Sequence, residues 1–174
     1  MNRTKLTLKN KVFRVVWHFV WLILFRPSPV QMFRWRNQLL RLFGAQIGAS
    51  CKIYPSCRVW APWNLMMDTG SCLASHVNVY NVAKVHLGSN ALVSQGTHIC
   101  SASHDYESHQ FDLVASPIVL GSNSWVCADC FICPGISIAE GAVCLARSVI
   151  VSNVEKNSVV AGNPATHRKV RKLG

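Results

Sequence analysis

Residues 120–150 read LGSNSWVCADCFICPGISIAEGAVCLARSVI, and within them an apolar residue returns every six positions. The repeating residues are Leu120, Val126, Ile132, Ile138, Cys144 and Ile150, and mostly small residues follow the first five by four positions, at Ser124, Cys130, Ile136, Ala142 and Ser148. A period of six fits neither the 3.6-residue period of a helix nor the alternation of a plain strand. Hexapeptide repeats are typical of β-helices, in which stacked coils bury one another's apolar faces. The stretch therefore predicts an all-β fold, a parallel β-helix.

The same period continues towards the N-terminus with two interruptions. The earlier members are Ile47, Ile53, Val59 and Leu65, and then Leu87, Val93 and Ile99. The stretch 66–86 is out of phase and predicts an irregular coil. The second interruption, DYESHQFDLVASP at 105–117, holds three of the seven acidic residues and predicts a loop that leaves the stack. We therefore expect the β-helix over residues 46–165, with a loop excursion at 105–117.

The charge of the chain is concentrated at its N-terminal end. With 174 residues, half of them hydrophobic, the chain is long enough for one domain with a sizeable core. The formal net charge is +11, and residues 1–67 contain eleven Lys or Arg and no Asp or Glu. The remainder carries seven of each sign, with four of its basic residues in the tail 166–174.

The N-terminal segment 1–45 is predicted to be helical, basic and apolar. Its run VFRVVWHFVWLILF (12–25) is shorter than the ~20 residues that span a bilayer, and no small-residue cleavage site follows it. Ser28, Pro29 and Gln31 have the pattern of a helix start, so we expect a helix over 29–43.

Two functions are open for this N-terminal segment. Apolar, Trp-rich and acid-free helices suit the surface of an anionic membrane, which predicts a peripheral contact. Alternatively, the helices cap the open end of the β-helix, since terminal repeats need a cover. Nucleic-acid binding would explain the charge but not the Trp and Leu content, so no nucleic-acid partner is predicted.

Eight cysteines are present, and several occupy repeat positions. Because buried free cysteines behave as small hydrophobic residues, we interpret most of them as core residues of a protein in a reducing compartment, such as the cytoplasm. The run Cys127-x-x-Cys130-x-x-Cys133 lacks the second ligand pair of the usual zinc sites. No metal is predicted.

Several longer blocks resemble a known family. The stretch 120–150 with VVAGNPA (159–165) is similar to the hexapeptide-repeat acyltransferases, whose fold is a left-handed parallel β-helix. Four further blocks resemble one branch of this family, the colanic-acid-type O-acetyltransferases of exopolysaccharide biosynthesis. These blocks are FRPSP (25–29), WRNQLLRLFGAQIG (35–48), VYNVAKVHLGS (79–89) and SQGTHICSASHDY (94–106). The likeness covers roughly residues 12–170. It implies a homotrimer that binds acetyl-CoA between neighbouring β-helices, with an active site shared by two subunits and no metal.

Acetyl transfer to a hydroxyl needs a base, and histidine is the usual one because its pKa is near neutral. His104 ends a coil just before the loop 105–117 and matches the catalytic His of the family. His98 lies one repeat earlier and His109 lies on the loop, and either could line the cleft. Serine acetyltransferases of the family place an Asp fifteen residues before the His, where this chain has Ser89. Asp105, Glu107, Asp112 or a backbone carbonyl therefore remain as groups that could orient His104.

The resemblance also implies positions for the acceptor. Relatives that acetylate galactosides or maltose carry an Asn at the position of Ala74, which argues against those acceptors. The replacement candidates are Asn78, Asn81 and Gln95, each of which could instead be a turn residue. Tyr106 could contact a sugar ring.

Candidate cofactor residues follow from the same resemblance. Trp125 matches a Trp near the acetyl-pantetheine arm, although it could be a packing residue. Ala128 and Ala146 match positions where the backbone meets the pantetheine. The remaining candidates are Asn163 and Pro164 in a turn, and Arg168 and Lys169 for the coenzyme phosphates. Thr166 stands where relatives often have a basic residue.

The predicted function is an O-acetyltransferase that moves acetyl from acetyl-CoA to a sugar hydroxyl of an exopolysaccharide or cell-surface glycan precursor. A lipid-linked saccharide acceptor would suit a protein at the inner face of the cytoplasmic membrane. Two alternatives stay open: a serine or other small-molecule O-acetyltransferase, and a non-catalytic β-helix scaffold. A γ-carbonic anhydrase is disfavoured because His98 and His104, six apart, do not have that family's zinc spacing.

Overall fold

The computed structural model describes Asn2–Arg3 and residues 7–172, which form two N-terminal helices and a stacked β-solenoid. The elements before the solenoid are β1 (Asn2–Arg3), α1 (Leu8–Val20), a π-helical turn (Trp21–Phe25) and α2 (Phe33–Leu42). Coil 1 contains β2 (Gln46–Ile47), β3 (Lys52–Ile53) and β4 (Arg58–Val59). Coil 2 contains β5 (Leu65–Met67), β6 (Cys72–Leu73) and β7 (Asn78–Tyr80). Coil 3 contains β8 (Val85–Leu87), β9 (Leu92–Val93) and β10 (His98–Cys100). A short 3₁₀ helix, Pro62–Asn64, joins coils 1 and 2.

A hairpin separates coil 3 from the rest of the stack. It consists of β11 (Ala102–His104) and β12 (Leu113–Ala115). Coils 4 and 5 contain β13 (Ile118–Leu120), β14 (Trp125–Val126), β15 (Phe131–Ile132); β16 (Ser137–Ile138), β17 (Val143–Cys144) and β18 (Val149–Ile150). The chain ends with β19 (Ser158–Gly162) and β20 (Ala165–Val170), an antiparallel pair that takes in much of the predicted tail 166–174.

Equivalent strands of successive coils pair in parallel and form three faces. The first face has the order β2-β5-β8-β13-β16, the second β3-β6-β9-β14-β17-β19-β20, and the third β4-β7-β10-β15-β18. The residues of the sixfold series point inwards, and Ile53, Leu87 and Ile132 are completely buried. Apolar burial of this kind is the main driving force for stacking the coils.

The prediction of an irregular coil at 66–86 was wrong. Coil 2 stacks regularly, with Leu73 opposite Val93 and Val79 opposite Ile99. The sixfold series resumes at Met67, eight positions after Val59, because the corner between the third and first faces of coils 1 and 2 has two additional residues. The sequence series had continued through Leu65, which is also buried, and so lost the phase.

One corner of the solenoid repeats an unusual backbone conformation in every coil. A residue with positive φ stands between the first and second faces at Ser50, Gly70, Asn90, Asn123, Gly141 and Asn157. Gly and Asn tolerate this left-handed region better than other residues do. Their recurrence along the chain therefore reflects one stacked turn.

The N-terminal helices cap the first coil. Along the stack, backbone N–H groups donate to carbonyls of the next coil, as Lys52 does to Ser71. Coil 1 has no preceding coil whose N–H groups could donate to its carbonyls in the same way. Side chains of the helices donate to them instead: Trp17 Nε1 to the Val59 carbonyl at 2.7 Å, Trp21 Nε1 to that of Cys57 at 2.9 Å, Arg36 Nε to that of Ile53 at 2.6 Å, and Asn37 Nδ2 to that of Cys51 at 2.9 Å. Unpaired buried carbonyls are costly, so these bonds give the aromatic and basic residues of the segment a structural role.

Helix α2 begins later than the sequence predicted. The expected helix was 29–43, and the observed one is Phe33–Leu42. Ser28 does not cap it, because its hydroxyl donates to the Phe25 carbonyl and accepts from Arg36 Nη1. The Pro29 carbonyl also accepts a hydrogen bond from Arg36, so the buried guanidinium organises the turn that the sequence predicts as the start of the helix.

The eight cysteines are all free thiols, and each of coils 1 to 5 carries at least one. Burial raises the pKa of several of these thiols, and it raises that of Cys144 to about 12. Within the described ranges, no helix has both the length and the apolarity needed to cross a membrane.

Candidate active site

The hairpin β11–β12 extends between the third face of coil 3 and the first face of coil 4. Strand β1 joins it as a third antiparallel strand, with Arg3 opposite Val114. At its tip, the Asp105 N–H donates to the Asp112 carbonyl at 2.9 Å, and the Ser108 hydroxyl donates to Asp112 Oδ2 at 3.0 Å. Arg3 lies 3.5 Å from the same carboxylate. The segment expected to be a loop at 105–117 therefore includes a strand and a hydrogen-bonded tip.

His104 ends strand β11, and its ring is oriented by the hairpin itself. Nδ1 lies 2.6 Å from the backbone carbonyl of Phe111. A carbonyl can only accept, so Nδ1 carries the proton of the neutral ring and Nε2 has a free lone pair. Phe111 directs this carbonyl with a φ of 47°, an unusual conformation for a bulky residue. Among the groups that the sequence left open for orienting His104, the one within hydrogen-bond distance of its ring is a backbone carbonyl.

The predicted acceptor residues are dispersed. Asn78 is half-buried on the third face, directly below His98 of the next coil. Tyr106 projects from the hairpin tip and is 82% exposed. Gln95 lies at the corner between the second and third faces, where its carbonyl accepts from the Asp129 N–H.

Asn81 requires a correction. Its side chain is completely buried, and it exchanges two hydrogen bonds with the backbone of Ala61, at 2.9 Å and 2.7 Å. No polar atom of the amide reaches the surface. Asn81 therefore joins the corner after coil 2 to the corner after coil 1, as an internal residue, and cannot contact an acceptor in this conformation.

Three of the predicted cofactor residues lie along one edge of the solenoid. Ala128 and Ala146 occupy equivalent corners of coils 4 and 5, where the Arg147 N–H donates to the Ala128 carbonyl at 2.9 Å. Trp125 lies on the adjoining second face, 43% exposed, and its Nε1 donates to the Ser94 hydroxyl at 2.9 Å. With Gln95 one coil earlier, these residues form an edge that we call the alanine ridge.

The remaining cofactor candidates lie beyond the last coil. Asn163 and Pro164 form the turn between β19 and β20. Arg168 and Lys169 are exposed on β20, and Arg168 Nη2 donates to the Ala161 carbonyl at 3.2 Å. Because β20 extends the second face, these cations continue the same side of the molecule as Trp125.

A second oriented histidine was missed by the sequence analysis. On the first face, His86 Nε2 lies 2.9 Å from Asp68 Oδ2, and both side chains are partly exposed. The two residues are eighteen apart, close to the length of one coil, and this spacing was the available signal. In the described part of the chain, no three His, Cys, Asp or Glu side chains converge as metal ligands.

The chain resembles acetyltransferases in both sequence and structure. It is 38% identical over 150 residues to WcaF of Escherichia coli (strain K12), a protein named for acetyl transfer in colanic acid biosynthesis, covering 86% of this chain and 82% of WcaF. A maltose O-acetyltransferase from Clostridium difficile 630 superposes with a TM-score of 0.87 at 22% identity, covering 96% of this chain and 90% of that one.

A hexapeptide-repeat acetyltransferase from Vibrio cholerae, complexed with acetyl coenzyme A, gives a TM-score of 0.84 at 20% identity, covering 96% of this chain and 91% of that one. No protein-family model matches the chain. The structural likeness confirms the predicted left-handed parallel β-helix with its N-terminal helical segment. The identity and coverage of the match to WcaF confirm the predicted resemblance, and the chain belongs to the hexapeptide-repeat acetyltransferase family.

Proposed function

We propose that this acetyltransferase moves the acetyl group of acetyl-CoA to a hydroxyl of a saccharide that is a precursor of a cell-surface glycan. The observation that carries the proposal is the His104 ring, held through Nδ1 with Nε2 left as a base. The donor is supported by the acetyl coenzyme A bound to the Vibrio cholerae protein, and the glycan by the role for which WcaF is named.

In the proposed reaction, His104 Nε2 takes the proton of the acceptor hydroxyl as the hydroxyl oxygen attacks the thioester carbonyl carbon. The resulting tetrahedral intermediate carries an oxyanion, and its collapse breaks the C–S bond. The leaving thiolate of CoA receives the proton from His104, which returns to its neutral state. Throughout the cycle the Phe111 carbonyl accepts from Nδ1–H, so it supports the imidazolium without adding a full charge.

For the donor, we propose that the pantetheine arm lies along the alanine ridge. Side chains at Ala128 and Ala146 are small enough to let another molecule approach the backbone, and Trp125 provides an exposed apolar surface beside them. Arg168 and Lys169 follow on the same side, where their charges would attract the coenzyme phosphates.

The two halves of this site lie at different corners of the solenoid. The hairpin with His104 leaves between the third and first faces, whereas the alanine ridge lies between the second and third. Within one chain the ridge and the hairpin belong to separate edges, so we propose a homotrimer in which the ridge of one subunit meets the hairpin of the next. Mixing two inactive proteins, His104→Ala and Trp125→Ala, after subunit exchange should restore part of the activity; no recovery in verified mixed trimers would contradict the sharing.

We further propose that α1 contacts an anionic membrane. The inner side of α1 and of the π-helical turn after it is buried through Trp17 and Trp21, while their outer side is exposed and apolar at Leu8, Val12, Val16, Leu22 and Ile23. Lys9 and Lys11 flank this outer surface, the arrangement of an interfacial helix. Replacing Val16 and Ile23 by Ser should reduce cosedimentation with anionic vesicles, whereas unchanged binding would contradict the contact.

The proposed activity is tested by thiol release from acetyl-CoA with a panel of free, nucleotide-linked and lipid-linked saccharides, using mass spectrometry to identify the acetylated product. Wild type should acetylate a saccharide, and His104→Ala should fall close to the background. Identical thiol release by both proteins would contradict the role of His104 and favour the scaffold. Acetylation of serine in preference to every saccharide would favour the serine acetyltransferase alternative.

A further inference from the structure

A groove of about 710 Å³ lies between α1 and the third face of coils 1 and 2. Its aromatic lining comprises Trp17, Phe19, Trp21, Trp60 and Tyr80. Lys11 and Arg14 contribute positive charge from the helix, and Arg58 contributes it from the opposite wall on β4. No acidic side chain lines the groove. It combines aromatic surfaces with cations and also contains Asn78, one of the predicted acceptor residues.

The cations of the groove have no acidic partners. The ion pairs in the described ranges involve Arg3, His86 and Lys156, none of which lines the groove. Arg14 instead lies 4.2 Å from the centre of the Trp60 ring, and Arg58 lies 5.6 Å from that of Trp21. Aromatic faces leave most guanidinium N–H groups available, and uncompensated cations on two walls create a positive potential between them. Guanidinium and ammonium donors form strong, charge-assisted hydrogen bonds with phosphate groups.

The floor of the groove continues towards His104. Trp60 and Tyr80 lie edge to face at 5.3 Å and pack against a small apolar cluster that includes Ala102 and Leu113 of the hairpin. Leu113 is the strand partner of His104. Arg58 is on coil 1 and His104 follows coil 3, so two coil spacings, about 10 Å along the stack, separate the cationic end from the base. A ligand anchored at its anionic end could therefore extend along the aromatic floor to present a hydroxyl at the hairpin.

We infer that this groove binds the phosphate of a phosphate-bearing saccharide, which is the acceptor delivered to His104. The inference rests on the proposed function and specifies its acceptor. The phosphate could belong to a lipid diphosphate or to a nucleotide diphosphate. The outer surface of α1 favours the lipid form, because its exposed apolar side chains lie on the same helix whose inner side lines the groove.

Two double variants with the same change in net charge test the groove. Lys11→Gln with Arg58→Gln removes two groove cations, whereas Lys9→Gln with Lys52→Gln removes two exposed cations that do not line it. Lys9 and Lys11 both lie in the first turn of α1, so each pair removes one cation from this helix and one from the solenoid. Calorimetry would measure binding of farnesyl diphosphohexose, uridine diphosphohexose and methyl hexoside to each protein, with circular dichroism to verify folding.

We expect wild type and the Lys9/Lys52 pair to bind a diphosphate ligand equally, and the Lys11/Arg58 pair to bind it at least tenfold more weakly. Methyl hexoside binding and the KM for acetyl-CoA should be the same in all three proteins. Tighter binding of the farnesyl ligand would assign the lipid source, and tighter binding of the uridine ligand the nucleotide source.

Equal weakening by both double variants, or no diphosphate binding by wild type, would overturn the inference. These binding measurements do not depend on turnover. A protein that acetylates methyl hexoside without binding either diphosphate would therefore retain the proposed function and lose only the groove. A protein that binds diphosphates through Lys11 and Arg58 but acetylates no saccharide would retain the groove as a phosphate site and lose the proposed function.

Discussion

The hairpin with His104 and the coils that follow it are ordered by different interactions. In coils 4 and 5, inward side chains such as Leu120 and Ile132 are completely buried, and apolar packing holds each coil against its neighbours. At the hairpin tip, Tyr106 and Phe111 are 82% and 60% exposed, and hydrogen bonds among polar groups maintain the shape. The difference indicates that the coils carry stability while the hairpin carries the proposed chemistry, so substitutions should affect one without the other.

The largest difference between the effect on activity and the effect on stability is expected for His104→Asn. Removal of a general base lowers kcat by about 10²- to 10⁴-fold, while the free energy of unfolding should change little because the side chain is exposed. Steady-state kinetics and urea denaturation would measure the two quantities. His109→Asn, on the same hairpin, is the control and should retain activity. A loss of stability that matched the loss of activity would remove the distinction between the two regions.

Leu120→Ala tests the opposite case, in which stability falls and activity is retained. Truncating a completely buried leucine should lower the free energy of unfolding by about 2–5 kcal/mol, because apolar contacts are lost and a cavity remains. Val119→Ala, on the same strand but partly exposed, should cost less than about 1 kcal/mol. The kcat per folded molecule should be unchanged in both. A strong fall in kcat at temperatures where Leu120→Ala is fully folded would show that the coils also shape the site.

A smaller effect is expected for Asp112→Ala at the hairpin tip. The change removes the acceptor for the Ser108 hydroxyl, and the carbonyl of the neighbouring Phe111 is then held less firmly against His104. One such hydrogen bond corresponds to about a two- to tenfold change in kcat. Asp112→Asn keeps an acceptor oxygen and should recover most of the activity. An alanine variant that loses only stability would contradict a positioning role.

The smallest effect is expected for the pH dependence of stability that arises from His98, a histidine on the third face of the solenoid. Burial lowers the pKa of His98, whose Nε2 is buried without a hydrogen-bond partner. The unfolded chain therefore binds this proton more readily than the folded one, and stability should decline as pH falls below about 6.5. The ring of His98 lies 5.1 Å from that of Phe131, so His98→Phe keeps this contact and should flatten the decline in urea denaturation. An unchanged slope would contradict the prediction.

The sequence was most informative where one physical constraint repeats. Inward positions such as Val126 and Ile150 could be predicted because every coil must bury the same position. The error at 66–86 arose because a corner with two extra residues leaves both Leu65 and Met67 buried, and only the register of neighbouring coils distinguishes them. The period cannot show how many residues a corner contains.

The candidate site was less predictable because it depends on particular backbone directions. The position of His104 before the interruption indicated a base, but its partner is a carbonyl directed by the positive φ of Phe111, which no residue pattern announces. Asn81 was misinterpreted because an amide that bonds a buried backbone looks the same in sequence as one that binds a ligand. The Asp68–His86 pair spans nearly one coil, and a search at that spacing would have found it.

The free cysteines allow local opening of the individual coils to be measured. Each coil has at least one thiol whose pKa is raised by burial: Cys57 in coil 1, Cys72 in coil 2, Cys100 in coil 3, Cys127, Cys130 and Cys133 in coil 4, and Cys144 in coil 5. Alkylating reagents attack the thiolate, so a buried thiol reacts mainly after its coil has opened. Pulse labelling followed by peptide mass spectrometry would therefore order the coils by local stability, without any engineered probe. In a solenoid, where each coil touches only its neighbours, that order shows whether the stack frays from its ends or opens at the hairpin.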